Sequence, residues 1–142
     1  YKKIVKLIGH DKSTNGEELN TTGKRLFGNK FKGIYPVDVM PLPKKNSYYI
    51  INTDIKNGDG IHWVALYRGF GNTIYVYDSF ARSTSYILKI MTSKLKKWKL
   101  KLIEADRTDR EQKGNTSEMC GQLTISWISV IEKFGIRNAL KI

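Results

Sequence analysis

Cysteine is almost missing from this sequence: Cys120 is the only one among 142 residues. An internal disulfide is therefore excluded, and a reducing compartment suits the chain. Histidine is nearly as scarce, and two histidines with one cysteine show no paired metal-ligand spacing, so a zinc site is disfavoured. No apolar run approaches the roughly 20 residues needed to cross a bilayer. The short stretch Ile4-Val5-Lys6-Leu7-Ile8 is broken by Lys6 and too brief for the apolar core of a signal peptide. Repeats, low-complexity tracts and a convincing linker are also lacking, so residues 1–142 read as one domain. Acidic residues are few, 13 against 25 lysines and arginines, and the net charge of +12 draws polyanions such as nucleic acid. Charge alone names no activity, because a basic balance is a footprint and not a site.

What is present begins with a polar segment. Thr14-Asn15-Gly16-Glu17 can cap a helix reaching Phe27, with Gly28 ending it, although Gly23 weakens that helix. The three prolines, Pro36, Pro41 and Pro43, mark residues 33–43 as an extended connection. Strands are expected over 48–52, 61–68 and 73–78, with Gly69-Phe70-Gly71-Asn72 as a hairpin turn between the last two. A helix follows over 83–94, and the alternation of Trp98, Leu100 and Leu102 with lysines predicts a strand over 98–102 with one wet face. Finally, Leu123, Trp127, Ile131 and Phe134 fall on one helical face, which Ile125, Ile128 and Val130 widen. That helix is expected to be buried, capped by Ser117 and ended by Gly135. Strands followed by a buried terminal helix make an α+β domain.

The lone cysteine sits at the start of that helix, where unpaired N–H groups and the positive dipole end favour a thiolate. Gly121 beside it lets a substrate backbone come close. A solitary cysteine is more often a small buried hydrophobe, so its position needs support from other residues. His62 supplies some. Strand alternation puts Ile61, Trp63, Ala65 and Tyr67 on one side and His62, Val64 and Leu66 on the other. If the hairpin loop is centred on Phe70, paired residue numbers sum to 140. His62 then faces Asp78 across the ladder with Cβ atoms about 4.5–5.5 Å apart, near enough for a carboxylate to orient an imidazole. A four-residue loop would instead put Asp78 opposite Trp63. Gln112, upstream of the cysteine on a loop containing Gly114 and Asn115, can fold its amide back to form an oxyanion hole with the Cys120 N–H. Trp63 can flank a groove, although filling the core is the commoner role of such a residue.

Taken in order, Gly60-Ile61-His62-Trp63, then Tyr75-Val76-Tyr77-Asp78-Ser79-Phe80, then Gln112 and Ser117-Glu118-Met119-Cys120-Gly121 resemble the conserved blocks of the adenain-like cysteine proteases. That superfamily also holds the proteases of ubiquitin-like proteins. The stretches around Leu19–Gly28 and Phe31–Asp38 are similar to the N-terminal region of its viral branch, the maturation proteases of virophages, Polinton-type elements and large DNA viruses. The likeness runs over about residues 17–134. It implies a papain-like fold of the adenain type, with a central mixed or antiparallel sheet packed on the helix that carries the nucleophile. It assigns Cys120 as nucleophile, His62 as base, Asp78 as orienter and Gln112 as oxyanion donor, with Gly60, Trp63 and Gly121 lining the substrate path. It further implies cleavage of capsid and core precursors at glycine-rich sites, in the virion and the infected cell. No cofactor is needed, no membrane partner is expected, and the enzyme is expected to be a monomer. The basic charge leaves room for DNA as a polyanion activator. One rival keeps the fold and changes the substrate to ubiquitin or a ubiquitin-like modifier. Another is a related-fold acetyltransferase using the same triad, and a third is a basic nucleic-acid-binding domain without catalysis.

Overall fold

The computed structural model describes residues 16–36, 39–54, 61–77, 84–105 and 120–140. The chain opens with helix α1 (Gly16–Phe27), whose first turn carries Glu17 and Glu18 and whose last carries Lys24 and Arg25. That order of charge complements the helix dipole. Gly28, at φ +60°, ends the helix in the left-handed region that glycine tolerates best. After a single 3-10 turn come β1 (Phe31–Pro36), β2 (Ser47–Asp54), β3 (Ile61–Arg68), β4 (Thr73–Tyr77), α2 (Thr84–Lys97), β5 (Lys101–Glu104), α3 (Cys120–Phe134) and the short α4 (Ile136–Ala139).

The five strands form one mixed sheet in chain order, β1-β2-β3-β4-β5. The two inner pairings, β2 with β3 and β3 with β4, are antiparallel. Both edge strands join in parallel. An α+β fold is therefore present, as the element order implied, and its sheet is mixed.

Alternation along β2 and β3 divides the core. Tyr48, Ile50, Trp63, Ala65 and Tyr67 face α1 and α3, whereas Tyr49, Ile51, Val64 and Leu66 face α2 through Met91 and Leu95. Such central strands are apolar on both sides because helices cover both faces. α3 is buried almost all round: Ile125 and Ile128 are fully enclosed, and so are the polar Gln122 and Thr124. α1 lies close to the sheet because Gly23 has no side chain. A Cβ there would meet the ring of Phe31 at 2.6 Å.

Several expectations need correction. The segment read as an extended connection contains β1, which pairs in parallel with β2 through a register shift between Phe31 and Ile34. Gly33 sits in that irregularity at φ +116°, so the glycine that looked like loop punctuation makes a bulge in a strand. The expected strand over 98–102 is half helix end: α2 runs to Lys97, Lys99 turns at φ +60°, and β5 starts only at Lys101. Phe134 does not share the buried face of Leu123, Trp127 and Ile131, being 65% exposed where the helix outruns the sheet. The expected cap, Ser117, lies outside the described residues, and the described part of α3 runs from Cys120. Its end is as expected, with Gly135 at φ +87° donating its N–H to the Ile131 carbonyl at 2.8 Å.

The hairpin register differs as well. β3 and β4 pair Ala65 with Tyr77 and Arg68 with Ile74, so paired numbers sum to 142 and the turn centres on Gly71, not Phe70. Arg68 explains the shift. Its guanidinium donates to the Gly71 carbonyl at 3.2 Å, to Asn72 Oδ1 at 3.3 Å and to the Pro43 carbonyl, clasping the turn from beneath. Phe70 is left at the tip, 73% exposed.

Candidate active site

Two contacts fix the direction of α3 across the sheet. At its midpoint, Trp127 stacks on Tyr77, the last residue of β4, with ring centroids 5.5 Å apart and planes 12° from parallel. Near its end, Glu132 accepts a hydrogen bond from the Tyr48 hydroxyl at 2.9 Å, and Tyr48 opens β2 opposite Tyr67 near the end of β3. α3 therefore runs in the same direction as β3. From the Trp127–Tyr77 stack back to Cys120 the helix extends seven residues, about 10 Å at 1.5 Å each. From Ala65, the ladder partner of Tyr77, back to His62 the strand extends three residues, again about 10 Å at roughly 3.4 Å each. The first residue of α3 and the second residue of β3 thus lie toward the same end of the sheet.

Each element is held there by ordinary forces. His62 belongs to a strand that is hydrogen-bonded on both sides further along, and its Cα partner on β2 is Thr53. Cys120 is the first residue of a 15-residue helix. The dipole of a helix puts partial positive charge near its start. Gly121 follows Cys120 in the first described turn. Trp127 is anchored a second time by donating its indole N–H to the Ala139 carbonyl at 3.1 Å, so α4 braces α3. Asp78, Gln112 and Gly60 lie outside the described residues. The ladder register expected to set Asp78 against His62 is replaced by the one above, in which Tyr77 pairs with Ala65 and not with Trp63.

No protein-family model and no curated protein sequence matches the chain. The reading of the site therefore stands on the residues and their placement.

Trp63 does two things at once. It is only 5% exposed and belongs to the core cluster under α1 and α3. Its remaining surface lines a groove of about 530 Å³ between α1 and the β1–β2–β3 face. Glu17, Asn20 and Lys24 come from the helix side, and Asn52 from the floor. Sequence reasoning missed Asn52. The signal was available: Tyr48 and Ile50 precede it on the same strand face, so a polar residue interrupts a buried series at the sheet end where His62 begins.

A second polar cluster lies at the far end of α3. Glu132 Oε1 also accepts from Lys30 Nζ at 2.9 Å, tying the 3-10 turn to the helix. Burial, reinforced by the Glu132 carboxylate, pushes the Tyr48 phenol far above the usual tyrosine range. Burial likewise raises Tyr67 and Tyr49, the latter against the opposing effect of the Lys44 N–H that donates to its hydroxyl at 2.9 Å. These phenols act as neutral hydrogen-bonding core residues.

Proposed function

We propose that this protein is a cysteine endopeptidase of the adenain type, with Cys120 as nucleophile, His62 as base, Asp78 as its orienter and Gln112 as oxyanion donor. The observation that carries the reading is the shared end of the sheet toward which the start of α3 and the start of β3 both extend. In this reading the Cys120 thiolate attacks the scissile carbonyl, and His62 then protonates the leaving amine. Gln112 and the Cys120 N–H hold the oxyanion, and water releases the acyl-enzyme. The substrates are capsid and core precursors with glycine-rich cleavage sites, handled by one domain. Gly121 and Gly60 leave room for the substrate backbone, and Trp63 walls the approach. No metal or cofactor takes part in this chemistry.

The deciding experiment incubates the reduced protein with fluorogenic Gly-Gly peptides, ubiquitin-like precursors and a capsid precursor. Cleavage of the capsid precursor that disappears in Cys120→Ala and His62→Ala supports the proposal. Cleavage confined to ubiquitin-like precursors transfers the reading to a de-modifying protease, and no cleavage of any of the three removes it.

A non-catalytic polyanion-binding reading is favoured by one feature. Lys94, Lys96 and Lys97 crowd the last turn of α2, with Lys99 and Lys101 just beyond. If DNA is bound there, log affinity falls with log salt, and charge reversal at Lys96, Lys97 and Lys99 flattens the slope. A slope already flat in the wild type discards DNA as binding partner or activator.

A further inference from the structure

Three segments meet at the end of the sheet away from His62. The Asn46 N–H donates to the Gly69 carbonyl at 3.2 Å, and the Lys101 N–H donates to the Asn72 carbonyl at 2.8 Å. Arg68 reaches the Pro43 carbonyl, and the Lys94 amine reaches the Met40 carbonyl at 3.4 Å. Residues 39–46, 68–73 and 94–101 are thus tied to one another. With strands about 4.8 Å apart, the row from β2 to β5 is about 14 Å wide.

The composition of this end is one-sided. The three segments hold eight lysines and arginines and no aspartate or glutamate. Arg68 is buried in its clasp, and Lys94 is engaged with Met40. Lys44, Lys45, Lys96, Lys97, Lys99 and Lys101 are exposed, with no ion-pair partner among the described residues. Like charges crowded in this way repel, and an anionic partner relieves the repulsion.

Apolar side chains stand among them. Val39, Leu42 and Phe70 are exposed to 62%, 52% and 73%. One such residue on a surface is ordinary. These three, however, are all but one of the large apolar side chains left exposed among the described residues; the other, Phe134, ends α3 on the opposite face of the sheet. Lysines alone suit any polyanion, and the apolar side chains choose between polyanions. A nucleic acid offers Phe70 a base to stack on but leaves the aliphatic Val39 and Leu42 in water. An anionic lipid surface takes all three into its headgroup and acyl boundary while its charges meet the lysines. Attachment of this kind needs no spanning run.

We propose that this end of the sheet docks on an anionic lipid leaflet. Phe70, Leu42 and Val39 enter the interface, and the six exposed lysines contact the headgroups. The resemblance implies no membrane partner; this face supplies one, and it uses the same lysines as the DNA reading. His62 lies six residues back along β3 from Arg68, about 20 Å at roughly 3.4 Å each. The docked chain therefore turns its candidate active end toward solvent. Docking stands on this face alone, whatever the chain cuts.

The test sediments the full chain with sucrose-loaded vesicles of phosphatidylcholine, with and without about one-third phosphatidylserine, at about 0.1 M salt. Binding to the anionic vesicles is expected to be at least about tenfold tighter than to the neutral ones. Lys96→Glu/Lys97→Glu/Lys99→Glu should weaken it by at least about 100-fold, since each lysine near such a surface contributes about fivefold. Phe70→Ala should weaken it about tenfold, and Phe70→Trp should bind at least as tightly as the wild type, because tryptophan favours the interface. Both variants should keep the wild-type urea midpoint, because Phe70 is mostly exposed. Equal binding to both vesicles, or to neither, overturns the proposal. So does binding to anionic vesicles that Phe70→Ala and Leu42→Ala leave unchanged, since charge alone then suffices. Binding of an oligonucleotide duplex by a chain that ignores the vesicles assigns the face to nucleic acid instead.

Discussion

Replacing Gly23 by alanine sets two opposite effects against each other in one methyl group. Gly23 lies within α1, where alanine is favoured over glycine by about 1 kcal/mol. The new Cβ, however, would stand 2.6 Å from two carbons of the Phe31 ring and 2.7 Å from a third, whereas ordinary contact begins near 3.4 Å. Phe31 is 1% exposed and has no room to swing away. Helix and ring must therefore separate by about 0.8 Å, the difference between those two distances. Overpacking of this kind costs about 1–3 kcal/mol. Subtracting the propensity gain leaves a net loss of about 1 kcal/mol. With a urea slope near 2 kcal/mol/M, the midpoint falls by about 0.5 M. Phe31→Leu supplies the control. In that background the clash is relieved and Gly23→Ala should stabilise by up to about 1 kcal/mol, a coupling of about 2 kcal/mol in the double-mutant cycle. A midpoint that rises in the single variant, or effects that simply add, would refute the close approach of α1 to the sheet. The shape of the groove along β1 would then need redrawing too.

Other perturbations have definite signs. Trp127→Leu removes the Tyr77 stack and the bond to Ala139, and should cost about 3 kcal/mol in urea unfolding. Glu132→Ala should cost more than Lys30→Ala. The Tyr48–Glu132 bond is charge-assisted and part-buried, worth about 1.5–3 kcal/mol, whereas a half-exposed lysine pair is worth under about 1 kcal/mol. The raised phenols of Tyr48, Tyr49 and Tyr67 keep their protons in the folded state at pH values where the unfolded chain has lost them. Stability from this source is complete below about pH 10, the ordinary tyrosine value, and declines as pH rises beyond it. Urea midpoints measured across that range should fall, and they should fall less steeply in Tyr48→Phe; a flat profile would contradict the burial.

Where local pattern and tertiary demand agreed, the sequence was readable. β3 runs over the expected residues because an eight-residue apolar run between turn signals leaves few alternatives. The buried helix was equally clear from its apolar spacing. β1 was not, because Gly33 and Pro36 look like punctuation and their strand role depends on β2 alongside. Gly23 looked like a weakness of α1, yet its lack of a side chain is what Phe31 requires. The hairpin register slipped by one at its centre because Arg68, an interior anchor, selects the turn, and no composition rule carries that information. At the candidate site, the types and order of His62, Trp63, Cys120 and Gly121 were visible. The direction of α3, which relates them, came only from Trp127 meeting Tyr77 and Glu132 meeting Tyr48. Asn52 was missed although it interrupts the buried series Tyr48 and Ile50 on one strand face.

The chain-order sheet has a consequence for how the molecule comes into being. Each strand's neighbour is the next one synthesised, so the ladder can assemble progressively from local partners. α3 follows all five strands and closes one face of them. A nascent chain therefore holds the imidazole and its strand long before it holds the sulfur. In the endopeptidase reading, the cutting edge is fitted last, after all five strands have been synthesised.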